Sequence, residues 1–421
     1  MNPTRRSPLS DLRGAVRIAT DATTGVTDLV EAVHGRVLRP PGLTTPQPDD
    51  RTGGLTGAVY RSVRAVQRGV GRGLEGLLGA LEGLQGLDRP LGSSSTPAAS
   101  SPRREAIVAA LNGVIGDRLA SAQNPLAVNF ELKRKGRPLT LGLDAGEDSK
   151  PRTDQPPDPA GAESGQVLVL LHGLCMGDAQ WMRRGHDHGS ALERDLGLSA
   201  VHVQYNSGLA VSDNGALLAD ALERLFASWP VPIERLVLLG YSMGGLVARS
   251  AVHQAMAREL AWPAQLSDVV FLGTPHHGAP LERIGSLVDG FLGLAPYAAP
   301  FARLGRVRST GITDLRHGRL FGVGDSRHEE RERRTARWPG HTTLHALAAS
   351  TAKDPQGRPG SRPGDGLVPL DSALGRHPDL QRALPIGAGN QWVGWKLNHL
   401  DLLNDVGVYD RLHSSLSRPK R

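Results

Sequence analysis

One stretch constrains the fold more than any other: Leu236-Val237-Leu238-Leu239-Gly240-Tyr241-Ser242-Met243-Gly244-Gly245-Leu246-Val247-Ala248-Arg249. It begins with an apolar run as short as a buried parallel strand. Its middle is Gly-x-Ser-x-Gly. Its end reads as a helix, with apolar residues at Leu246, Val247 and Val252. Strand, sharp turn and helix in that order are the setting of a nucleophile elbow. Such a turn holds its serine in a strained backbone conformation. Side chains at the flanking positions would collide, so Gly240 and Gly244 are glycine for steric reasons. The geometry pushes the Ser242 hydroxyl over the end of the sheet and aims the first N–H groups of the next helix at whatever it attacks. A chain with 52 glycines can meet this pattern by chance. It occurs once, and in the strand–helix setting that gives it meaning.

Composition narrows the rest. A chain of 421 residues, 39% hydrophobic and 22% charged, can bury a full core as one large domain or two smaller ones. Arginine (43) far outnumbers lysine (6), which reads as coding composition. The net charge of +7 is spread out, without interleaved aromatics, and speaks against nucleic acid. The lone Cys175 excludes an intrachain disulfide and fits a reducing compartment. Residues 1–30 show no signal-peptide pattern, and no run of 18 apolar residues exists. The expectation is a cytoplasmic protein.

Residues 1–100 read as an N-terminal helical extension with linkers. An apolar stripe covers 10–38, and a second, rich in glycine and with arginines off the stripe, covers 55–87. This pair is either a helical hairpin docked on the body or an interfacial element. The second reading makes an anionic membrane surface a candidate partner for residues 10–87. A Ser/Pro-rich linker occupies 89–102.

The main domain is expected over 101–421. Ser101-Pro102 opens a short amphipathic helix. Val128–Leu132 and Pro138–Leu141 look like a hairpin, and 143–165 is a polar connector. Strands then alternate with helices: Val167–Leu171, Ala200–Tyr205, Arg235–Leu239, Asp268–Leu272 and Thr342–Ser350, with helices at 190–197, 213–229 and 243–260 between the earlier ones. The 213–229 helix offers Leu217, Leu218, Leu222 and Leu225 as its inner face. Near-continuous apolar strands in βαβ order predict an α/β fold with a mostly parallel, doubly wound sheet. Residues 279–340 break the rhythm and read as a helical cap insertion. A last helix covers about 401–416.

A serine hydroxyl needs a general base, and a histidine suits. That histidine needs a buried carboxylate to fix its tautomer. In this type of sheet the three sit on loops at the carboxyl ends of strands, in the order Ser, acid, His. Only His377, His399 and His413 follow a suitable acid. His399 lies in a loop entering the final helix, His413 falls inside that helix, and His377 precedes a proline. Asp365 lies in Pro363-Gly364-Asp365-Gly366, where glycines let it turn inward; Asp354 and Asp371 lack that setting. The catalytic candidates are therefore Ser242, Asp365 and His399. Oxyanion donors are expected at the Met243 N–H and the Leu174 N–H, the latter in His172-Gly173-Leu174-Cys175. His172 reads as structural and Cys175 as a pocket-lining residue. His276-His277 lack zinc-site spacing, so neither a metal nor any other cofactor is expected.

Taken together, Leu171-His172-Gly173-Leu174, Gly240-Tyr241-Ser242-Met243-Gly244-Gly245, Gly273-Thr274-Pro275-His276-His277-Gly278, Gly364-Asp365-Gly366-Leu367-Val368-Pro369 and Asn398-His399 resemble the α/β-hydrolase superfamily. More narrowly, they resemble serine lipases and esterases of the bacterial lipase and GPI inositol-deacylase-like groups. The resemblance covers roughly residues 125–415. It implies hydrolysis of a carboxylic ester in a small molecule or lipid, through an acyl-enzyme on Ser242, under a cap at 279–340. Two alternatives stay open: acyl transfer to another acceptor, and a non-catalytic binding or membrane-scaffold protein with a hydrolase fold.

Overall fold

The computed structural model describes residues 11–18, 20, 24, 59–65, 69, 72, 102–141, 163–280, 309–321, 338–353 and 364–417. The chain forms two compact units, residues 1–99 with 121–127, and 100–120 with 128–421. In the first, all the described residues up to 72 are helical. The Asn124 side-chain amide donates to the Gly14 carbonyl at 3.1 Å, and the Leu126 side chain lies against Gly14. Most of the two expected N-terminal helices, the 89–102 linker, nearly all of the 143–165 connector and most of the 279–340 insertion lie outside the described residues.

The second unit is built on one eight-stranded sheet. In chain order its elements are α1 (Pro102–Ser121), β1 (Glu131–Arg134), β2 (Arg137–Pro138), β3 (Gln166–Leu171), α2 (His188–Leu196), β4 (Ser199–Gln204), α3 (Val211–Ser228), β5 (Arg235–Tyr241), α4 (Met243–Ala257) and β6 (Leu266–Leu272). Then follow α5 (Thr310–His317), β7 (Thr343–Ser350), the one-turn α6 (Leu370–Ala373), β8 (Gln391–Trp395) and α7 (Val406–Leu416). The strand order is β2-β1-β4-β3-β5-β6-β7-β8. From β4 to β8 every pairing is parallel; β1 runs antiparallel to β4 and to β2. The central strands are buried almost throughout, which is why they read as unbroken apolar runs. The chain steps outward from β3 to β4, then returns past β3 to β5. That reversal opens a crevice at the carboxyl ends of β3 and β5, where ligands bind in such sheets.

Several boundaries differ from expectation. The hairpin's first strand lies later than expected and its second starts one residue earlier; its turn is the two residues Lys135 and Gly136, with φ of 48° and 74°. Two left-handed residues make the tight turn that matches strand twist, so pairing extends through Arg134 and Arg137. Charge does not exclude Arg134 from the strand, because Glu163 and Glu193 hold its guanidinium at 2.7 and 2.9 Å. Leu217 is 40% exposed and does not belong to the inner face of α3, which is instead Asn214, Leu218, Ala221, Leu222 and Leu225. The edge strand β8 was not expected. The final helix is divided: a 3-10 turn, His399–Leu403, precedes α7. Among the described residues no helix is long and apolar enough to cross a membrane.

Candidate active site

Ser242 joins β5 to α4 with φ of 53° and ψ of −120°. This left-handed conformation is rare and costly for a residue with a side chain. The surrounding contacts enforce it. A Cβ on Gly240 would lie 2.5 Å from the Gly245 backbone, and one on Gly244 would lie 2.3 Å from the Leu171 carbonyl oxygen. The Ser242 N–H donates to the Leu272 carbonyl at 2.8 Å, tying the turn to the end of β6. Ser242 occupies the position before α4, yet its hydroxyl does not cap the helix. A serine there ordinarily satisfies one of the first helical N–H groups; this one holds its oxygen clear of them.

Asp365 and His399, 34 residues apart, meet in a buried pair: Asp365 Oδ2 accepts from His399 Nδ1 at 2.6 Å. Neither side chain is more than 5% exposed. The other carboxylate oxygen accepts from the Leu367 and Val368 N–H groups at 2.9 and 2.7 Å. Both flanking glycines are required. A Cβ on Gly364 would sit 1.6 Å from the Val368 carbonyl oxygen, and Gly366 has φ of 95°. The Asp365 carbonyl also accepts the His399 N–H at 2.9 Å. Because a carboxylate can only accept, Nδ1 carries the ring proton and Nε2 presents its lone pair. That Nε2 is buried and has no hydrogen-bond partner among the described residues, Ser242 included.

The pair and the serine share one corner. The His399 ring packs on Tyr241, the residue before the serine, at 4.9 Å between centroids. It also lies over Gly273, where a Cβ would come within 3.1 Å of His399 Cε1. Gly273 directly follows the Leu272 that holds the Ser242 amide. On the other side, a Cβ on Gly173 would be 3.2 Å from Ser242 Cβ, so the β3 loop presses on the serine. Neither the Leu174 nor the Met243 N–H donates to another group among the described residues, whereas the next amide, Cys175 N–H, is taken by Ser207 Oγ at 3.1 Å. These are the two expected oxyanion donors.

The remaining candidates are distinguished by their surroundings. Burial pushes the Cys175 thiol up to about 12, which removes it as a nucleophile. Burial lowers His172 to about 4. Its Nδ1 donates to the Gly173 carbonyl at 2.9 Å, its Nε2 accepts the Tyr205 N–H, and Tyr205 stacks on it at 4.0 Å. It braces the loop as a neutral ring. His276 is buried and held far below the usual histidine range, first by desolvation and then by Arg249, whose guanidinium donates to its Nδ1 at 3.2 Å. His277 faces His377, and His413 lies on α7 beside Ser417. Neither His377 nor His413 meets Asp365. Asp371 lies in α6, and Asp354 is outside the described residues.

Sequence reasoning missed two contributors. The Tyr241 hydroxyl donates to the His399 carbonyl at 3.1 Å, although in the motif it was only the unspecified residue. Helix α1 packs on the loop after β3: a Cβ on Gly113 would lie 2.2 Å from Cys175 Sγ. The one available signal was a glycine pair, Gly113 and Gly116, within an otherwise good helix.

The sheet order, the strained serine after β5 and the loops around it define the class: the chain has the α/β-hydrolase fold. Within the sheet domain, residues 191–320 match a family model described as a PGAP1-like alpha/beta domain. No curated protein sequence matches the chain significantly. Among solved structures it is similar to the mature Bacillus licheniformis lipase BlEst2, with 20% identity over 63% of this chain and 95% of that one, TM-score 0.41. It is also similar to the Pyrococcus furiosus esterase Pf2001, with 13% identity over 60% and 79%, TM-score 0.37. A lipase-esterase related protein of Clostridium acetobutylicum gives 13% identity over 60% and 94%, TM-score 0.33. Likenesses this distant carry nothing about activity.

Proposed function

We propose that the protein is a serine hydrolase that cleaves carboxylic esters through an acyl-enzyme on Ser242. The observation that carries this reading is the buried Asp365–His399 pair, 2.6 Å long, whose outer nitrogen is left without a partner among the described residues and whose ring packs on Tyr241, next to a serine held in a strained turn. Substrate binding brings the ester carbonyl to Ser242 Oγ. The hydroxyl attacks, its proton passes to His399 Nε2, and Asp365 stabilises the imidazolium. The carbonyl oxygen becomes an oxyanion and accepts from the Leu174 and Met243 N–H groups. Collapse expels the alcohol, which takes the proton from His399. Water then attacks the acyl-enzyme with His399 as base, releasing the acid and restoring the serine. No metal or organic cofactor enters this scheme.

The test combines a fluorophosphonate probe with a chain-length panel of p-nitrophenyl esters. Wild type should label once, at Ser242, and turn over at least one ester, while Ser242→Ala should do neither. A folded wild type that takes no label under any condition would overturn the reading.

A further inference from the structure

The connection between β3 and α2 has a second part that the reaction scheme does not use. Its first part, 172–175, holds the proposed oxyanion donor. Its second, 183–188, reaches over 200 residues along the chain to the turn that carries His399. Arg183 Nε donates to Asn404 Oδ1 at 3.1 Å. His188 is fully buried, and its Nε2 lies 2.9 Å from the Leu402 carbonyl oxygen. Leu402 belongs to the same 3-10 turn, His399–Leu403, whose first residue is the proposed base.

The hydrogen-bond logic is directional. A carbonyl can only accept, so His188 Nε2 carries the proton. Its Nδ1 must then accept, and it does so from His186 Nε2 at 2.8 Å. The Tyr409 ring stacks on His188 at 6.1 Å with its plane only 5° away, and lies edge-on to His186 at 5.3 Å. Burial first, then His186, lowers His188 to about 4, so the neutral ring and its donor role persist across the working range. The ordered relay runs His186 to His188 to the Leu402 carbonyl. From the other side, the Tyr241 hydroxyl holds the His399 carbonyl. The base is thus fixed by its Asp365 bond, by a donor from the elbow, and by a donor from the loop that also bears the oxyanion amide.

We propose that His188 is a positioning residue: it anchors the Leu402 carbonyl and so sets the height of the His399 ring over Ser242. This rests on the hydrolase reading above. A core histidine that merely fills space would contribute stability alone. A positioning residue affects the chemical step, because displacing a reacting group by about 1 Å can cost about 100-fold in rate.

The experiment compares full-length wild type with His188→Leu, His188→Gln and Arg183→Ala, measuring ester kcat and KM, fluorophosphonate labelling rate and melting temperature. Leucine fills the space without a donor. Glutamine places an amide nitrogen near the Nε2 position and keeps the donor. We expect kcat to fall about 10- to 100-fold in His188→Leu with KM within about twofold, and His188→Gln to recover to within about threefold of wild type. Wild-type kcat in a folded His188→Leu, or a glutamine variant no better than the leucine one, overturns the proposal. Should His188→Leu fail to fold, Arg183→Ala decides, since its half-buried side chain is the outer tie to the same turn. A kcat reduced about threefold or more at unchanged melting temperature supports the proposal; an unchanged kcat overturns it. Failure of the hydrolase reading looks different, because wild type itself would then take no label.

Discussion

The sheet holds two serine–aspartate–histidine groupings, and they are opposites. At the carboxyl ends of the strands stand Ser242, Asp365 and His399. At the amino ends stand Ser267, Asp268 and His345. In the second, Asp268 accepts from His345 Nε2 at 3.0 Å, from Ser267 Oγ at 2.7 Å and from Arg235 Nη2 at 2.9 Å. Ser267 sits in a regular strand, and its oxygen also accepts from Arg235 Nε at 3.1 Å. Here every oxygen of the trio is committed, and an arginine neutralises the carboxylate. In the first, the carboxylate has no cation among the described residues: it accepts from two backbone N–H groups and one imidazole, and the serine is twisted out of regular geometry. Residue types therefore do not define a site. What distinguishes the two is which lone pairs remain available, and whether a positive charge already occupies the place that an imidazolium must take.

The comparison breaks most sharply at the serines. Ser242→Ala should lower kcat by roughly 10⁵-fold and abolish probe labelling. Ser267→Ala should leave kcat within about twofold and cost about 1 kcal/mol of stability. Steady-state kinetics and urea unfolding on both variants decide it. Equal losses of activity would mean that the amino-end cluster is not merely structural.

The carboxylates come next. Asp365→Asn should cost about 10⁴ in kcat, because the amide reverses the donor that fixes the His399 tautomer. Asp268→Asn should keep its activity per folded molecule but lose about 3 kcal/mol, leaving Arg235 buried without its charge partner. Activity normalised to active-site titration separates the two effects. A large loss of turnover in Asp268→Asn would contradict the division between the ends of the sheet.

How far this division was legible in the sequence depends on what each residue needs. Ser242 was legible because its turn admits only glycine on either side, a steric demand written in adjacent letters. Asp365 and His399 could be ranked by chain order and by the glycines around the acid, and the folded chain brings them to 2.6 Å. The parallel sheet was legible because strands buried on both faces must be continuously apolar. Strand β8 was not: Gln391-Trp392-Val393-Gly394-Trp395 is an edge strand with only Gly394 buried, so it shows neither an apolar run nor clean alternation. Nor was α1's contact with the loop after β3, because close approach of two backbones leaves only a glycine as its trace. The His186–His188 relay depends on a partner over 200 residues away, and no local pattern encodes it.

Acid sharpens the contrast through stability. Burial alone would raise Asp268, but hydrogen bonds from His345, Arg235 and Ser267 outweigh it and hold the carboxyl at about 2, well below the usual carboxylate range. A folded pKa below the unfolded one gives stabilisation that is present above the unfolded value and is lost as pH falls through the folded one. Wild type should therefore lose stability between about pH 4 and pH 2 with a slope that flattens in Asp268→Asn. Urea midpoints measured across that interval check it, and identical slopes would show that the carboxylate is not linked to folding.

The smallest expected effect has a sign that decides between two explanations. Gly113 lies inside α1, and alanine there should favour the helix by about 1 kcal/mol if nothing else changed. Its Cβ, however, would lie 2.2 Å from Cys175 Sγ and 2.8 Å from the Cys175 backbone. Cys175 is itself held at φ of 60° and directly follows Leu174. The Ser309 hydroxyl fixes the helix from behind, donating to the Gly113 carbonyl at 2.6 Å, so the loop must yield rather than the helix. Gly113→Ala should then lower kcat about tenfold through a displaced Leu174 N–H, with little change in KM and no gain in melting temperature. A higher melting temperature with kcat intact would mean that the thiol swings aside and the oxyanion amide stays where it is.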